Sequence, residues 1–317
     1  MGAADRGVHP RRIVLVGTTA SGKSEVAIPL AIRLSAEIVG ADSRQIYRGL
    51  TIGTAAPSPE ERARVPHHFI AFLDPSDTYS AGRFGREARV VLADLEARGR
   101  TALIVGSSGL YLRALLDGLF EGPERDPAVR ARLQDRLRRE GLEALREELA
   151  RVDPEALAGI LPGDSVRVIR ALEVHELTGR PISALRRERT PAPVAARWFG
   201  LRWARPLLWA RIEERVGGQM AAGFLEEARQ LLDRDLPPDA PGPRTLGYAQ
   251  LLEHLRGRVS LAEAVRQIAQ RTRQLAKRQE TWFRRVPGIT WLELTDRGAL
   301  ARAPEWILAR LAEDAAA

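Results

Sequence analysis

The chain has 317 residues, 44% hydrophobic and 28% charged, the balance of a soluble globular protein with one large domain or two of ordinary size. It has no cysteine, which excludes disulfides, thiolate nucleophiles and cysteine-ligated metal centres, and its longest apolar runs are too short to cross a bilayer. Its net charge is +8, and the only lysines are Lys23 and Lys277.

Residues 1–11 read as a short disordered tail without the apolar core or cleavage site of a signal peptide, so a cytoplasmic protein is expected. Ile13 to Gly17 reads as a buried strand, and Ser24 to Leu34 as a helix entered through a glycine-rich turn. Ala36 to Gly40 is a second strand, Tyr79 to Arg98 a helix with Ser80 as its N-cap, and Thr101 to Gly106 another buried strand. A helix follows from Gly109. Strands alternating with helices predict an α/β fold: a P-loop parallel-sheet core with helices on both faces. From Asp126 to Arg189 the chain is charge-dense and helical, broken at Pro154, Pro162 and Pro181, which predicts an inserted helical domain. A strand at 199–203, further helices, a strand at Ile289 to Leu294 and a last helix complete the chain. The expected organisation is a tail at 1–11, core at 12–118, insert at 119–197 and core again at 198–317.

Gly17-Thr18-Thr19-Ala20-Ser21-Gly22-Lys23-Ser24 is a full G-x-x-x-x-G-K-[ST] match between the first strand and the first helix. Such a loop wraps backbone N–H groups around a phosphate; Lys23 would neutralise it and Ser24 would ligate Mg²⁺. Nucleotide-binding P-loop enzymes usually add an acid at a strand end to hold that ion. Here the strand at 101–105 runs into Gly106-Ser107-Ser108-Gly109, with no carboxylate. An acid appears instead after strand two, in Asp42-Ser43-Arg44-Gln45. Carboxyl strand ends line the ligand crevice of a parallel sheet, so Asp42 is either a base facing the P-loop or a turn former.

The positive charge is localised: residues 256–285 carry +7 and residues 180–205 carry +6, which favours a polyanionic partner over an idle solvated surface. Between 260 and 285, helical spacing puts Arg266, Arg273, Lys277 and Arg284 on one stripe and Ile268, Leu275 and Trp282 on the opposite one. The first stripe suits RNA phosphates, and Trp282 is expected in the core. His67 and His68 lack ligand-spaced partners and read as substrate-loop or structural residues.

These motifs resemble, in order, those of the tRNA dimethylallyltransferase (tRNA isopentenyltransferase) family. The resemblance runs through Gly17–Ser24, Asp42 to Gly49 and Ile52-Gly-Thr-Ala55. It continues through Pro66-His-His68, Gly109-Leu-Tyr111, Arg167 with Arg170 to Glu173, Arg211 with Arg215, Gly247-Tyr248, and Ala276 to Gln279 with Thr281 to Phe283. It implies transfer of a dimethylallyl group from dimethylallyl diphosphate to N6 of the adenine just 3′ of the anticodon (position 37), in tRNAs reading codons that begin with U. It also implies Mg²⁺ as cofactor, the tRNA anticodon stem-loop as partner, and a monomeric enzyme without membrane attachment. By that correspondence Asp42 is the general base, and Thr19, Lys23 and Arg211 act beside it. Gly17 to Ser24 hold the donor diphosphate. Asp42, Ser43, Arg44, Gln45, Ser108, Arg130, Arg167 and Arg170 touch tRNA, with the insert as a tRNA-binding domain. Arg266, Arg273, Lys277 and Arg278 join this group through the charge pattern. The chain departs from the family at Thr18, where proline is usual, at Ala56, usually lysine, and at Ser107-Ser108, usually Gly-Thr. Two other readings remain open: a small-molecule P-loop kinase using Asp42 on a hydroxyl, and a non-catalytic RNA-binding protein.

Overall fold

The computed structural model describes residues 11–120, 122–188, 193–237 and 239–316. Of the expected tail at 1–11, residues 1–10 lie outside these residues. Arg11 does not belong to it, because its carbonyl already accepts the Ala102 N–H (2.8 Å).

A six-stranded parallel sheet forms the centre, from β1 (Arg12–Gly17), β2 (Ala36–Ala41), β3 (His67–His68), β4 (Thr101–Gly106), β5 (Arg197–Trp203) and β6 (Ile289–Leu294) in the order β3-β2-β4-β1-β5-β6. β1 shows why the apolar run is a strand buried on both sides: Ile13 and Leu15 enter one core while Val14 and Val16 enter the other. Each such aliphatic side chain contributes about 1.5–3 kcal/mol. On the first face lies α1 (Lys23–Arg33), with α13 (Arg297–Ala301) and α14 (Ala303–Ala316). On the second lie α3 (Ala81–Ala97) and α4 (Gly109–Leu116). The Ser80 hydroxyl caps α3 by accepting the Arg83 N–H (3.1 Å).

Two elements escape the sequence pattern. α2 (Pro59–Arg64) is a short helix closed by a Ser58–Glu61 capping box. β3 has two residues, too few for any periodicity, and pairs with β2 through Ile38↔His67. His68 Nε2 meets Glu37 Oε2 at 2.8 Å, which makes the histidine pair an edge-strand feature. A third apolar cluster joins residues 46–50 to α9 (Arg205–Ala221), α10 (Phe224–Asp233), α11 (Tyr248–Leu255) and α12 (Leu261–Phe283).

The contacts divide the chain into two compact units. One runs to Leu116 and resumes at Val194; the other is Asp117–Pro193. The Val194 N–H bonds the Leu116 carbonyl (2.7 Å) and Ala196 packs on the sheet core; the first unit resumes at Val194, against an expected resumption at 198. The second unit is helical, with α5 (Pro127–Val152), α6 (Pro154–Ala158), α7 (Ser165–Thr178) and α8 (Ile182–Arg187) around their own apolar cluster. Gly141, at φ 83°, interrupts α5, a break the proline-based reading does not contain.

β4 approaches β2 closely where it ends. A Cβ on Gly106 would lie 2.1 Å from the Ala41 carbonyl oxygen. Gly106→Ala should therefore force the strands apart and cost about 2 kcal/mol or more, read as a lowered urea midpoint. A wild-type midpoint would show that the strand ends yield freely.

Candidate active site

β1 ends at Gly17 and α1 begins at Lys23, and the loop between them is tightly curled. Ala20 has φ 63° and Gly22 φ 90°. Gly22 also needs its missing Cβ, which would come 2.6 Å from Leu300 Cδ2. Strain at a non-glycine such as Ala20 is typical of functional loops. Lys23 Nζ donates to the carbonyls of Gly17 (3.1 Å) and Thr18 (2.8 Å), and Arg211 Nε donates to that of Ala20 (3.0 Å). The N–H groups of the first turn of α1 have no acceptor within the helix and suit an anion. The Ser21 hydroxyl is buried without a partner among the described residues.

The loop forms one wall of a cleft of about 490 Å³. Opposite stand the ends of β2 and β4. Asp42 Oδ1 accepts the Arg44 N–H (2.9 Å), and Oδ2 accepts the Ser107 hydroxyl (3.1 Å). Asp42 is thus both turn former and cleft carboxylate. From α9, Arg215 donates to Thr19 Oγ1 (3.1 Å) and to the Thr54 carbonyl (3.4 Å). From α12, Gln279 bridges the two walls, accepting the Thr19 N–H (2.8 Å) and donating to the Ser107 carbonyl (3.3 Å). The remaining wall, Thr54–Ala56, hangs on Glu227, whose carboxylate accepts the N–H groups of Thr51 (2.7 Å), Ile52 (2.9 Å) and Gly53 (3.0 Å) and the Tyr248 hydroxyl.

The cleft lining carries four cations, Lys23, Arg211, Arg215 and Arg297, and four carboxylates, Glu25, Asp42, Glu61 and Glu214, and the imbalance is local to its two buried cations. Burial pushes the Lys23 ammonium down to about 8; the charge of Asp42 opposes this and that of Arg215 adds to it. Arg215 is likewise held below its ordinary value by burial, with Asp42 opposing. Two desolvated cations facing one carboxylate make a site that gains by receiving an anion.

Thr19 to Ser24, Asp42, Gln45 and Arg211 all line this cleft. Gly17 and Thr18 do not; Thr18 lines a separate cavity of about 290 Å³ beside Trp203 and Trp291. Gln45 is engaged with the carbonyls of Thr54 (3.3 Å) and Ala55 (2.8 Å). Ser108 Oγ accepts the Ser43 N–H (3.0 Å) just past the strand ends, and Arg44 is exposed. Arg266, Arg273, Lys277 and Arg278 lie on α12 outside the cleft lining. Arg266 pairs with Glu263 (2.7 Å), Arg273 with Glu213 (2.8 Å) and Arg284 with Glu280 (3.1 Å), while Lys277 lies 5.8 Å over the Trp209 ring. Arg271, Arg278 and Arg285 form a second, exposed stripe without an ion pair among the described residues. Trp282 packs on the core and covers Gly109. In the second unit, Arg130 (3.5 Å) and Arg170 (2.9 Å) surround the fully buried Glu173, and Arg167 pairs with Asp164 (3.2 Å).

Sequence reasoning gave no site role to Arg215, Gln279, Ser107 or Glu227. Arg215 stands one turn after Arg211, a spacing that puts both on one face. Gln279 is a polar residue on the apolar stripe that carries Ala276 and Phe283. Ser107 and Glu227 have no local signal.

A P-loop α/β protein whose carboxylate comes from β2, with none at the end of β4, is a phosphate-binding enzyme of a particular kind. The profile described as IPP transferase matches residues 45–286, and that described as Isopentenyl transferase matches residues 11–72. A curated tRNA dimethylallyltransferase of Geobacter metallireducens is 47% identical over 89% of this chain and 92% of its own. The crystal structure of the tRNA isopentenylpyrophosphate transferase of Bacillus halodurans is 34% identical, covers 96% of this chain and 97% of its own, and superposes with TM-score 0.69. A eukaryotic dimethylallyltransferase structure described as acting on tRNA is 25% identical, with TM-score 0.80 over 95% of this chain and 78% of its own. The chain belongs to the tRNA dimethylallyltransferase family.

The depressed Lys23 gives this site a pH signature. Below pH 8 folded and unfolded chains both carry the proton, and the buried cation is a constant cost. Between about 8 and 10.5 only the unfolded chain keeps it, so without ligand Lys23 makes stability rise with pH over that window. A bound diphosphate should restore the proton. Calorimetry at pH 8.5 in buffers of different ionisation enthalpy should show net proton uptake relative to Lys23→Ala. Equal proton counts for the two proteins would refute the assignment.

Proposed function

We propose that the enzyme transfers the dimethylallyl group of dimethylallyl diphosphate to N6 of adenine 37, just 3′ of the anticodon, in tRNAs that read codons beginning with U. The observation that carries this reading is the pairing of the strand-end carboxylate, Asp42 at the end of β2, with a P-loop site in which Lys23, Arg211 and Arg215 converge. Membership of a family whose curated members are named tRNA dimethylallyltransferase supports it. The chain is a tRNA-modifying prenyltransferase.

In this reading adenine 37 leaves its stack to reach the cleft. The N6 lone pair forms a bond to the allylic carbon while the carbon–oxygen bond breaks, and its electrons leave with the diphosphate. Asp42 takes the N6 proton. Lys23, Arg211, Arg215 and the N–H groups of the loop meet the charge that develops on the leaving group. Water in the cleft could attack the allylic carbon in place of N6 and give the free alcohol, so excluding water at this step protects the transfer.

The cleft suits Mg²⁺. Ser24 offers a hydroxyl at the helix start, the Ser21 hydroxyl has no protein partner, and no carboxylate–histidine cluster competes for a metal among the described residues. Ser24 and the donor's own oxygens would hold the ion, which would add positive charge beside the leaving group. A monomeric enzyme is part of the same reading. Among the described residues no helix is long and apolar enough to cross a membrane.

The test is single-turnover transfer to an anticodon stem-loop without ATP. Asp42→Asn should slow transfer by roughly 10²–10⁴ and leave donor affinity nearly unchanged. Lys23→Ala should lose affinity and rate together, because its contact exists in ground and transition states alike. ATP hydrolysis without prenyl transfer would favour a kinase.

Salt dependence tests the RNA surface. Each phosphate contact adds roughly 0.7–0.9 to the slope of log affinity against log salt. Replacing Lys277 and Arg278 with Gln should flatten that slope by about one to two units. Arg266→Gln, whose charge Glu263 already matches, should flatten it less. An unchanged slope in the folded double variant would mean α12 carries no RNA.

A further inference from the structure

We infer that Ser107 is a positioning residue for the base: its hydroxyl holds the Asp42 carboxylate in the plane from which it can take a proton. The inference rests on the reading of Asp42 as the base and adds to it a residue that the family pattern replaces with glycine.

The placement follows from register. Ala41 and Gly106 are partners on adjacent parallel strands, so Asp42 and Ser107 are the next pair past the strand ends, and Ser43 and Ser108 the pair after that. Both pairs are hydrogen-bonded. The Ser107 side chain is buried, its hydroxyl donates to Asp42 Oδ2 at 3.1 Å, and its carbonyl is held by Gln279. Asp42 Oδ1 is fixed separately by the Arg44 N–H. Two donors from two elements therefore set the carboxylate plane, and Oδ2 keeps a second lone pair for the N6 proton.

The hydroxyl matters because of the charges around it. Lys23 and Arg215 both feel the charge of Asp42, yet each donates elsewhere, to the loop carbonyls and to Thr19 and Thr54. A carboxylate free to rotate in a desolvated cleft would turn toward those cations, where its lone pairs are spent on an ion pair. Ser107 opposes that rotation with a neutral donor, which binds the ion without cancelling its charge.

Ser107→Ala removes one oxygen from a buried site and should fold. Its single-turnover transfer rate should fall about tenfold, the scale of one hydrogen bond to a charged group. Donor affinity and melting temperature should stay at wild-type values, and Ser107→Thr, which keeps the hydroxyl, should recover most of the rate. The decisive arm is the double variant: with Asp42→Asn already in place, Ser107→Ala should cost less than about twofold more, since there is no base left to orient. If Asp42→Asn is slow while Ser107→Ala matches wild type, the inference fails and the base stands. If Ser107→Ala weakens donor binding as much as rate, or its loss adds fully to that of Asp42→Asn, Ser107 only shapes the cleft wall and the inference is overturned. If Asp42→Asn itself transfers at the wild-type rate, the reading of Asp42 as base falls, and the inference with it.

Discussion

The rest of the molecule depends on one close approach, that of β4 to β2 at their carboxyl ends. With β1 on the other side of β4, three neighbouring strands finish within one crevice. β1 delivers the phosphate loop, β2 the Asp42 carboxylate, and β4 the Ser107 hydroxyl. Gly106 is what lets β4 run that close, since any side chain there would meet the Ala41 backbone. Backbone yields little, so the distance between acid and phosphate loop is set by strand spacing rather than by flexible side chains. A site carried on strand ends inherits the rigidity of the sheet beneath it.

That rigidity is charged against the protein's own stability until a ligand arrives. Lys23 and Arg215 are desolvated, and in the empty cleft they satisfy their donors with carbonyls and a threonine hydroxyl. Carbonyl partners supply geometry but no full negative charge, and Asp42 is the carboxylate that bears on both buried cations. In the proposed reaction a diphosphate would bring the missing charge, so that preorganisation and affinity would come from the same imbalance.

Much of this architecture was legible in the sequence because its carriers are local. The P-loop and Asp42 at a strand end each occupy fewer than ten consecutive residues, and, apart from α2 and β3, each strand and helix of the alternation shows its own local pattern. Arg215 and Gln279 were legible as residues of a family pattern but not as a latch across the cleft, because Gln279 meets Thr19 from 260 positions away. The Ser107 contact needs the register of β2 against β4, which no local pattern encodes. Likewise the cationic stripe of α12 was chosen by helical angle alone. The structure neutralises three of its members with glutamates, two of them on α12 itself, and leaves a neighbouring stripe unpaired, a distinction that depends on which rotamers find partners.

The position of the acid separates this cleft from that of a P-loop hydrolase. When the bond that breaks joins phosphorus to oxygen, an acid at the end of the strand beside the loop holds the metal at the reacting phosphorus. When the bond that breaks joins carbon to oxygen, the reacting atom lies beyond the phosphates, and an acid at the phosphates would only repel the leaving group. A serine pair at the end of β4 removes that repulsion. In the proposed reaction, a carboxylate one strand further, on β2, would be free to take the proton that an incoming amine must shed. The same loop can thus serve either chemistry, and under the proposed function the acid on β2 is the one that serves the incoming amine.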